Sequence, residues 1–316
     1  MTIQSVETRF RAYQLDTAGS SFSYFSGGKF ALIEGRYCEG NEESIEQELR
    51  NCGLKQITTL HITSWDQDHC SPKQLEMILE RLKPNTIEYP GYEPHTDCGK
   101  ESLAIIQAYK ANKQRKTSIV SVTPKFISSL DKAYSYGYRD IMYWPKEIDV
   151  ESSNNNSTVK QFRSGSFNVL SLGDVESTQI SSYLRSTRSI HSEVDVMMMA
   201  HHGADNGFTT SSFLRKVRPT LAIATSNYGN QFDHPKPEIR ALLHKYDVRL
   251  FTTKTGDVIV RSLGAHTGQY EVINLKAGST EVSSQYVGRA RKSEYLKNNG
   301  DTLRDRRTRH FKGVKR

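Results

Sequence analysis

The sequence predicts an α/β (or α+β) protein, with strands and helices alternating along most of the chain. Short apolar, β-branched runs such as 57–63 alternate with segments such as 75–82, in which leucine and isoleucine recur at helical spacing. Three of the predicted strands end directly in residues that can ligate a metal ion. Because open α/β sheets bind ligands outside the carboxyl ends of their strands, we expect a functional site at one sheet edge.

The composition is that of a globular chain. Its 316 residues suffice for one large α/β domain or two small ones, and 36% hydrophobic residues are compatible with a core. No stretch approaches the roughly 18 consecutive apolar residues of a membrane span, and the N-terminus lacks the apolar region of a signal peptide. The four cysteines form no Cys-x-x-Cys pair. We therefore expect a cytoplasmic location without membrane contact, and no cysteine-based zinc site.

Positive charge is concentrated at the C-terminus. The chain carries a formal net charge of +8, and residues 289–316 contain eleven Lys and Arg but only three acids, which accounts for the whole excess. A charge-dense terminus is usually a solvated arm, although such an arm can also hold a polyanion. We therefore divide the chain into a folded domain over residues 1–280 and a basic, flexible tail over residues 281–316.

The first half of the chain predicts a sheet with covering helices. Gly27 and Gly28 separate two apolar runs and predict a hairpin, since both can adopt positive φ. A helix over 42–52 is expected to end at Gly53. A helix after the 57–63 strand is predicted to start with Ser71 as N-cap, proline at the next position and Gln74 closing a capping box. Strands are expected at 10–15, 22–25, 29–33, 86–89, 119–122 and 141–144, and a further helix at 101–111.

The second half repeats the alternation of strands and helices. Its strands are predicted at 158–162, 167–172, 194–200, 220–225, 248–252 and 257–261, with helices at 178–184, 211–217 and 238–246. The strands at 167–172 and 194–200 run directly into Asp174 and into the pair His201 and His202. These residues, with Asp66, Asp68 and His69 after the 57–63 strand, form the candidate site.

Five short motifs occur in a fixed order along the chain. They are Ser-x-Asp-x-Asp-His (64–69), Asn-x-Asn-Ser (154–157), Leu-Gly-Asp (172–174), His-His-Gly (201–203) and His-Pro (234–235). Together they resemble the metallo-β-lactamase superfamily, and within it the ComEC-like branch, the metallohydrolase domains related to that of the bacterial DNA-uptake channel. The resemblance covers residues 8–262 and implies a four-layer αβ/βα sandwich with metal-dependent hydrolase activity.

The resemblance also implies a ligand set for two divalent ions. Asp66, Asp68 and His69 would be ligands from the first loop, and Asp174 would bridge the ions. Either His201 or His202 would complete the second site, with His202 preferred as the ligand. Two ions can hold both the attacking and the departing oxygen of an in-line displacement. The expected ions are zinc or manganese, and magnesium is allowed. The oxygen-rich donor set favours manganese or magnesium over zinc.

Further residues are assigned to catalysis and substrate binding by the same resemblance. Asp68 and His201 would act in catalysis, His201 by facing the substrate. His234 would be either a ligand or a contact to the leaving oxygen. The residues expected to bind substrate are Asn154, Asn156, Ser157 and, in the tail, Arg306, Arg307 and Arg309.

One position departs from the family pattern. Ser64 stands where the family usually has histidine, which would weaken the first metal site unless the serine oxygen or a water fills the gap. His61 lies three residues earlier on the strand and is expected to face the opposite side. His95 is the remaining candidate for a third ligand between His69 and Asp174.

The sequence thus predicts a metal-dependent hydrolase of phosphodiester bonds, a nuclease that cleaves DNA in preference to RNA through a metal-activated water. Two alternatives stay open. The same centre could serve a small-molecule phosphodiesterase or other ester hydrolase, since fold does not fix the substrate. Alternatively, the missing histidine would allow a non-catalytic module that binds nucleic acid or partner proteins within a multi-component system.

Overall fold

The strands of the computed structural model form two sheets. The structure describes residues 7–111, 116–130, 140–191, 193–264, 268–291 and 293. Within these ranges the strands are β1 (Thr8–Ala12), β2 (Phe22–Ser26), β3 (Lys29–Ile33), β4 (Thr59–His61), β5 (Thr86–Pro90), β6 (Ser118–Val122), β7 (Ile141–Trp144), β8 (Val159–Phe162), β9 (Val169–Ser171), β10 (Val196–Met198), β11 (Leu221–Ala224), β12 (Arg249–Thr252), β13 (Val258–Leu263), β14 (Gln269–Leu275) and β15 (Val282–Arg289).

The described strands join in two defined orders. The larger sheet runs β15-β14-β13-β1-β2-β3-β4-β5-β6, and the smaller runs β12-β11-β10-β9-β8-β7. Pairing is parallel from β3 to β6 in the larger sheet and from β9 to β12 in the smaller, and antiparallel elsewhere. Parallel strands bring their carboxyl ends to one edge, so each sheet offers several loops at a common edge.

Helices cover the outer face of each sheet. Those of the described chain are α1 (Glu42–Asn51), α2 (Pro72–Met77), α3 (Asp97–Ala111), α4 (Pro124–Ser129), α5 (Thr178–Ser186), α6 (Ser211–Val217) and α7 (Pro237–Lys245), and α2 continues into a π-helical turn at Ile78–Leu82. Over the part of the chain that is described, none of them has the length and apolar character that crossing a membrane requires.

Three apolar layers hold the fold together. Between the sheets, Phe10 and Tyr24 of the larger sheet pack with Phe162 of the smaller. Along β10, Val196 and Met198 face this middle layer while Met197 faces the helices, as the two-residue period of a strand requires. Outside the larger sheet a second layer packs against α1, α2 and α3, and outside the smaller a third packs against α5, α6 and α7. The predicted four-layer αβ/βα sandwich is confirmed.

The start of α2 differs in detail from the prediction. Proline does occupy the first turn, but the Ser71 side chain makes no capping hydrogen bond and no capping box forms at this helix. Gln74 Oε1 instead accepts hydrogen bonds from Arg36 Nε at 2.9 Å and from the Tyr37 backbone N–H at 3.1 Å. The buried Arg36 guanidinium needs hydrogen-bond acceptors, and Gln74, which the capping box would have used, is one of them.

The boundary between folded domain and tail also needs correction. β15 pairs antiparallel with β14 from Gln269↔Arg289 to Leu275↔Val282, so residues 282–289 belong to the larger sheet rather than to a flexible arm. On the adjoining strands, Glu271 accepts hydrogen bonds from Arg261 and Gln285, and such polar cross-strand pairs conceal a strand from a search for apolar runs. Arg306, Arg307 and Arg309 lie outside the described residues.

A buried ion pair connects the two sheets. Lys160 Nζ on β8 lies 2.6 Å from Glu88 Oε2 on β5, and His61 Nδ1 on β4 lies 2.8 Å from the same oxygen. Burial opposes ionisation of Glu88, but the charges of Lys160 and His61 outweigh it and lower the pKa of this carboxyl to about 2. The Lys160 and Glu88 side chains are 6% and 16% exposed, so neither charge has ready access to water.

We predict that Glu88→Gln lowers the free energy of unfolding by about 3–5 kcal/mol, because Lys160 would remain buried without a countercharge. Urea unfolding at pH 7, followed by circular dichroism, measures the loss. The double variant Glu88→Gln with Lys160→Met removes both charges and should recover most of the stability.

Acidification provides an independent check on the same pair. Because the pKa of Glu88 is depressed from its usual 4.5, its contribution is fully present above pH 4.5 and is lost as pH falls toward 2. The stability difference between wild type and Glu88→Gln should therefore shrink over this interval. Equal stability of the two proteins at pH 7 would contradict the prediction.

Candidate metal centre

The loop between β4 and α2 carries the first candidate ligands and is anchored on several sides. The buried Trp65 donates from its backbone N–H to Tyr92 Oη at 3.1 Å and from Nε1 to the Tyr92 carbonyl at 3.0 Å. Gly35 N–H donates to the His69 carbonyl at 2.7 Å, and Arg36 Nη1 donates to the Gln67 carbonyl at 2.8 Å. These bonds fix the backbone on both sides of Asp68, so its position does not depend on a mobile loop.

Four residues from three loops meet at the shared edge of the two sheets. Asp68 and His69 come from the loop after β4, Asp174 follows β9, and His202 follows β10. Each offers one ligand atom, and these four atoms lie within 4.8 Å of one another. We call this set the Asp-His cluster. Among the described residues, this is the group of His, Cys, Asp or Glu side chains whose ligand atoms lie close enough together to hold a metal ion.

Contacts within the Asp-His cluster alternate between acid and base. His69 Nε2 lies 2.9 Å from Asp174 Oδ2, and His202 Nε2 lies 3.1 Å from Asp68 Oδ2. The two remaining acid–base distances are both 3.9 Å. The His69 side chain is 2% exposed and that of Asp68 is 35% exposed, so the cluster opens toward solvent on the Asp68 side.

Both cluster imidazoles are oriented from behind. His69 Nδ1 lies 3.1 Å from Glu34 Oε1, a carboxylate that also accepts from the Thr63 hydroxyl at 2.6 Å. His202 Nδ1 lies 2.8 Å from the Thr225 hydroxyl. With Nδ1 engaged, Nε2 of each ring points into the cluster, and metal-ligating histidines are held in this way by an outer partner.

The turn after β10 has an unusual backbone. His201 and His202 have φ of 46° and 56°, in the left-handed region that non-glycine residues seldom adopt, and Gly203 follows at 90°. A Cβ at Gly203 would lie 2.6 Å from Pro235 Cβ, so only glycine lets the 234–235 loop approach. The His201 N–H donates to the Gly173 carbonyl at 3.0 Å, which ties this turn to the one carrying Asp174.

Burial and charge act against each other in the Asp-His cluster. Burial alone would make each carboxyl harder to ionise, yet the neighbouring imidazoles hold the pKa of Asp68 and of Asp174 below their usual values. Burial would likewise disfavour the imidazolium form, but the surrounding carboxylates raise the pKa of His69 and His202. The two carboxyl groups therefore favour the ionised form, and the two imidazole rings favour the protonated form.

This donor set fits a divalent metal ion. Two carboxylate oxygens and two imidazole nitrogens form a ligand set that suits zinc or manganese. The carboxylates are stabilised by the protons on the rings, and a bound ion would supply the same positive charge once those protons leave. His69 Nε2 is buried, and its close contact, at 2.9 Å, is the Asp174 carboxylate beside it.

Other predicted site residues surround the Asp-His cluster without joining it. His201 Nδ1 lies 3.3 Å from Glu176 Oε2. The His234 ring stacks on that of His202 with a centroid distance of 6.3 Å and lies 5.9 Å from the His201 ring. Burial and the two neighbouring histidines lower the pKa of His234 to about 4. His201 and His234 thus flank the cluster as uncoordinated rings.

Asp66, the remaining predicted ligand, does not belong to the Asp-His cluster. Its Oδ2 accepts from Ser64 Oγ at 3.0 Å and from Ser153 Oγ at 3.4 Å. Ser64 Oγ is also 3.2 Å from Tyr92 Oη. Ser64 therefore holds the neighbouring Asp66 in a hydrogen-bond network.

The two alternative histidines lie elsewhere. His61 is buried against Glu88 and the Phe162 ring in the layer between the sheets, as its strand position predicts. His95 is exposed, with its ring 6.4 Å from that of Tyr92. The structure brings neither of them into the Asp-His cluster.

The Asn-x-Asn-Ser segment mainly supports its own loop. Asn156 is fully buried, donates from Nδ2 to the Asp149 carbonyl at 2.7 Å and accepts from the Asp149 N–H at 2.8 Å. Ser157 is also buried. Asn154 reaches the rim of the site, where its Nδ2 lies 3.3 Å from Glu176 Oε2. Of the three predicted substrate contacts, Asn154 is the one placed to meet a ligand.

Sequence reasoning did not assign Glu34, Thr225 or Glu176. Glu34 follows β3 and Thr225 follows β11, so both also stand at carboxyl ends of strands on the same edge. The rule that identified Asp174 and the His-His pair therefore applied to them as well. Glu34 and Thr225 follow runs of apolar residues, and a single polar residue after such a run is a weak signal by itself.

Comparisons with known proteins find remote relatives. No protein-family model matches the chain. ComE operon protein 3 of Bacillus subtilis is 24% identical over 226 residues, which cover 70% of this chain and 26% of that protein. Recombination protein 2 of Haemophilus influenzae is 28% identical over 102 residues, covering 32% of this chain and 12% of that one. The chain thus spans about a quarter or less of these curated relatives.

A solved structure similar to this chain is Igni18, a metallo hydrolase from Ignicoccus hospitalis. Its TM-score is 0.48 with 11% sequence identity, and the match covers 79% of this chain and 98% of that one. The four-layer sandwich, the ligand residues at its shared sheet edge and the match to ComE operon protein 3 agree with one another. The chain is a four-layer αβ/βα sandwich with potential metal ligands at a shared sheet edge, and over 70% of its length it is similar to ComE operon protein 3.

Proposed function

We propose that the chain is a metal-dependent hydrolase that cleaves phosphodiester bonds, with DNA as its substrate. The observation that carries this proposal is the Asp-His cluster, in which two carboxylates and two oriented imidazoles converge at an edge that is open on the Asp68 side. Asp68, His69, Asp174 and His202 would hold a divalent ion, and such an ion would supply a water of lowered pKa and would stabilise negative charge on a phosphoryl oxygen. Such chemistry needs no nucleophile from the protein.

The uncoordinated rings are placed to handle the substrate. With its pKa lowered to about 4, His234 is neutral near pH 7 and can accept a hydrogen bond or a proton. His201 is held by Glu176 on the other side of the opening. We propose that His234 contacts the substrate rather than the ion, because its ring stacks beside His202 and contributes no atom to the Asp-His cluster.

Charge supports a polyanionic substrate. The eleven Lys and Arg of residues 289–316 carry the whole formal excess of +8, and cations that neutralise phosphates release counterions and strengthen binding. The resemblance to hydrolase domains related to that of the DNA-uptake channel favours DNA over RNA. Arg306, Arg307 and Arg309 stay proposed contacts to the nucleic-acid backbone.

We further propose that the Asp-His cluster holds one ion tightly. The second ion that the sequence analysis expects would require Asp66 to leave its hydrogen bonds with Ser64 and Ser153. Its affinity should therefore be lower than that of the first.

We predict that His202→Ala abolishes tight metal binding, since it removes one of four ligands. Calorimetric titration of chelator-stripped protein with Mn²⁺ and Zn²⁺ measures the affinity and the number of equivalents. Thr225→Val keeps the ligand and removes the hydroxyl 2.8 Å from His202 Nδ1, but it leaves the Thr225 carbonyl at 3.2 Å, so binding should weaken by roughly 10-fold, the lower end of the range for an outer partner. His244→Ala, in an exposed position on α7, is the matched control and should bind like wild type. Undiminished binding by His202→Ala would refute the assignment.

We predict that His234→Ala retains the ion but cuts DNA cleavage by roughly 100-fold or more, the range expected for loss of an acid or base group. Cleavage of single-stranded and duplex DNA and RNA is followed with Mn²⁺, Mg²⁺ or Zn²⁺, beside Asp174→Asn and His244→Ala. Metal loss in His234→Ala would instead make His234 a ligand. Activity that survives Asp174→Asn would place catalysis elsewhere, and DNA binding without cleavage would favour the non-catalytic module.

A further inference from the structure

Two large aromatic side chains stand exposed on the loop after β11, next to the Asp-His cluster. Tyr228 is 67% exposed and Phe232 is 57% exposed. The Phe232 ring stacks on the His234 ring with a centroid distance of 5.7 Å and an interplanar angle of 24°. His234 in turn stacks on His202 at 6.3 Å and 11°. A column of three rings therefore runs from the surface to the cluster.

The loop holds Phe232 in a defined position. Asn230 accepts from the Phe232 N–H at 3.1 Å with its Oδ1 and donates from Nδ2 to the His234 carbonyl at 2.6 Å. Beyond the loop, the Lys236 N–H donates to the Gly203 carbonyl at 3.0 Å. These bonds connect the loop to the turn that carries His202. One face of the Phe232 ring is covered by His234, and the exposed fraction leaves the other available to a ligand.

The charges around the aromatic pair suit a phosphate backbone. Lys254 Nζ lies 5.6 Å from the centroid of the Tyr228 ring, and Lys236 follows His234 by two residues. Asp233 is the acid of the same loop, so this segment and its neighbour Lys254 carry more cations than anions. Exposed aromatics interleaved with cations are the elements by which proteins hold single strands, with bases stacked on rings and phosphates beside lysines.

We propose that Tyr228 and Phe232 form a stacking platform for unpaired bases of a single-stranded nucleic acid. A base on the outer face of Phe232 would extend the ring column and place the adjoining phosphodiester toward the Asp68 opening. Bases within a duplex are stacked on one another and offer no free face, so the platform selects single strands or frayed ends. This inference rests on the proposed function, since it names the form of the substrate for the same site.

The test compares single-stranded and duplex oligonucleotides of the same sequence. Phe232→Ala and Tyr228→Ala should each weaken the Kd for the single strand by roughly 5- to 100-fold, the loss expected for one stacked base, and leave the duplex Kd unchanged. Stacking on the platform is measured directly by 2-aminopurine placed in the single strand. Its fluorescence should be quenched by the wild-type protein and should not be quenched by either alanine variant. DNA and RNA versions are both measured, because they share the base faces, and a selective loss on either supports the platform.

Matched variants separate stacking from bulk or misfolding. Phe232→Trp should bind like wild type, whereas Phe232→Leu, which keeps apolar volume without an aromatic face, should resemble Phe232→Ala. Val287→Ala removes an apolar side chain of similar exposure, 49%, on β15 and should change nothing. Circular dichroism verifies that each variant is folded.

The outcomes distinguish this inference from the proposed function. Wild-type single-strand binding by both alanine variants, or an equal loss on single strand and duplex, would overturn the platform even if cleavage is confirmed. Conversely, a chain that cleaves neither strand form but binds single strands through Phe232 would overturn the proposed hydrolase while supporting the platform.

Discussion

The buried imidazole of His69 joins the loops of the two sheets that form the metal centre. His69 lies with Nδ1 3.1 Å from Glu34, which follows a strand of the larger sheet, and with Nε2 2.9 Å from Asp174, which follows a strand of the smaller sheet. A buried charge is tolerated only where opposite charges and hydrogen bonds compensate for lost water. The carboxylates on either side of His69 can therefore be buried only if the two sheet edges stay at this separation.

The same constraint prepares the site for a cation. Asp68, Asp174 and Glu34 surround His69 and His202 with negative charge, and the backbone turns at 173 and 201–203 hold the side chains that face inward. The cluster is closed on the His69 side and open at Asp68, so a ligand can approach from one direction. We propose that His201, His234 and the exposed Tyr228 and Phe232 determine what kind of ligand binds there.

Much of this arrangement could be predicted from the sequence. The spacing of apolar residues indicates strands and helices, and the position of polar residues directly after strands indicates the site. The strand at Ile141–Trp144 and the helix at Ser211–Val217 match their predicted bounds. The members of the Asp-His cluster were all among the predicted candidates, because strands that end in ligand-type residues share one edge of a sheet, but this rule did not choose between His201 and His202. That rule depends on chain order and needs no knowledge of side-chain contacts.

The features that the sequence did not predict depend on which hydrogen-bond partner a polar side chain has in the folded protein. Gln74 was expected to cap its own helix but bonds to Arg36, which comes from a distant part of the chain. Asp66 was expected in the metal site but accepts from Ser64 and Ser153. Strands β14 and β15 were missed because polar pairs on their surface mask the apolar alternation. In each case several partners are available, and only the tertiary structure decides among them.

The most direct test of this metal centre is anomalous diffraction from crystals grown with Mn²⁺. We predict a strong peak within bonding distance of Asp68, His69, Asp174 and His202, and no peak in crystals of His202→Ala. A peak bound elsewhere, or an empty cluster at a saturating Mn²⁺ concentration, would contradict the assignment of this cluster as the metal centre.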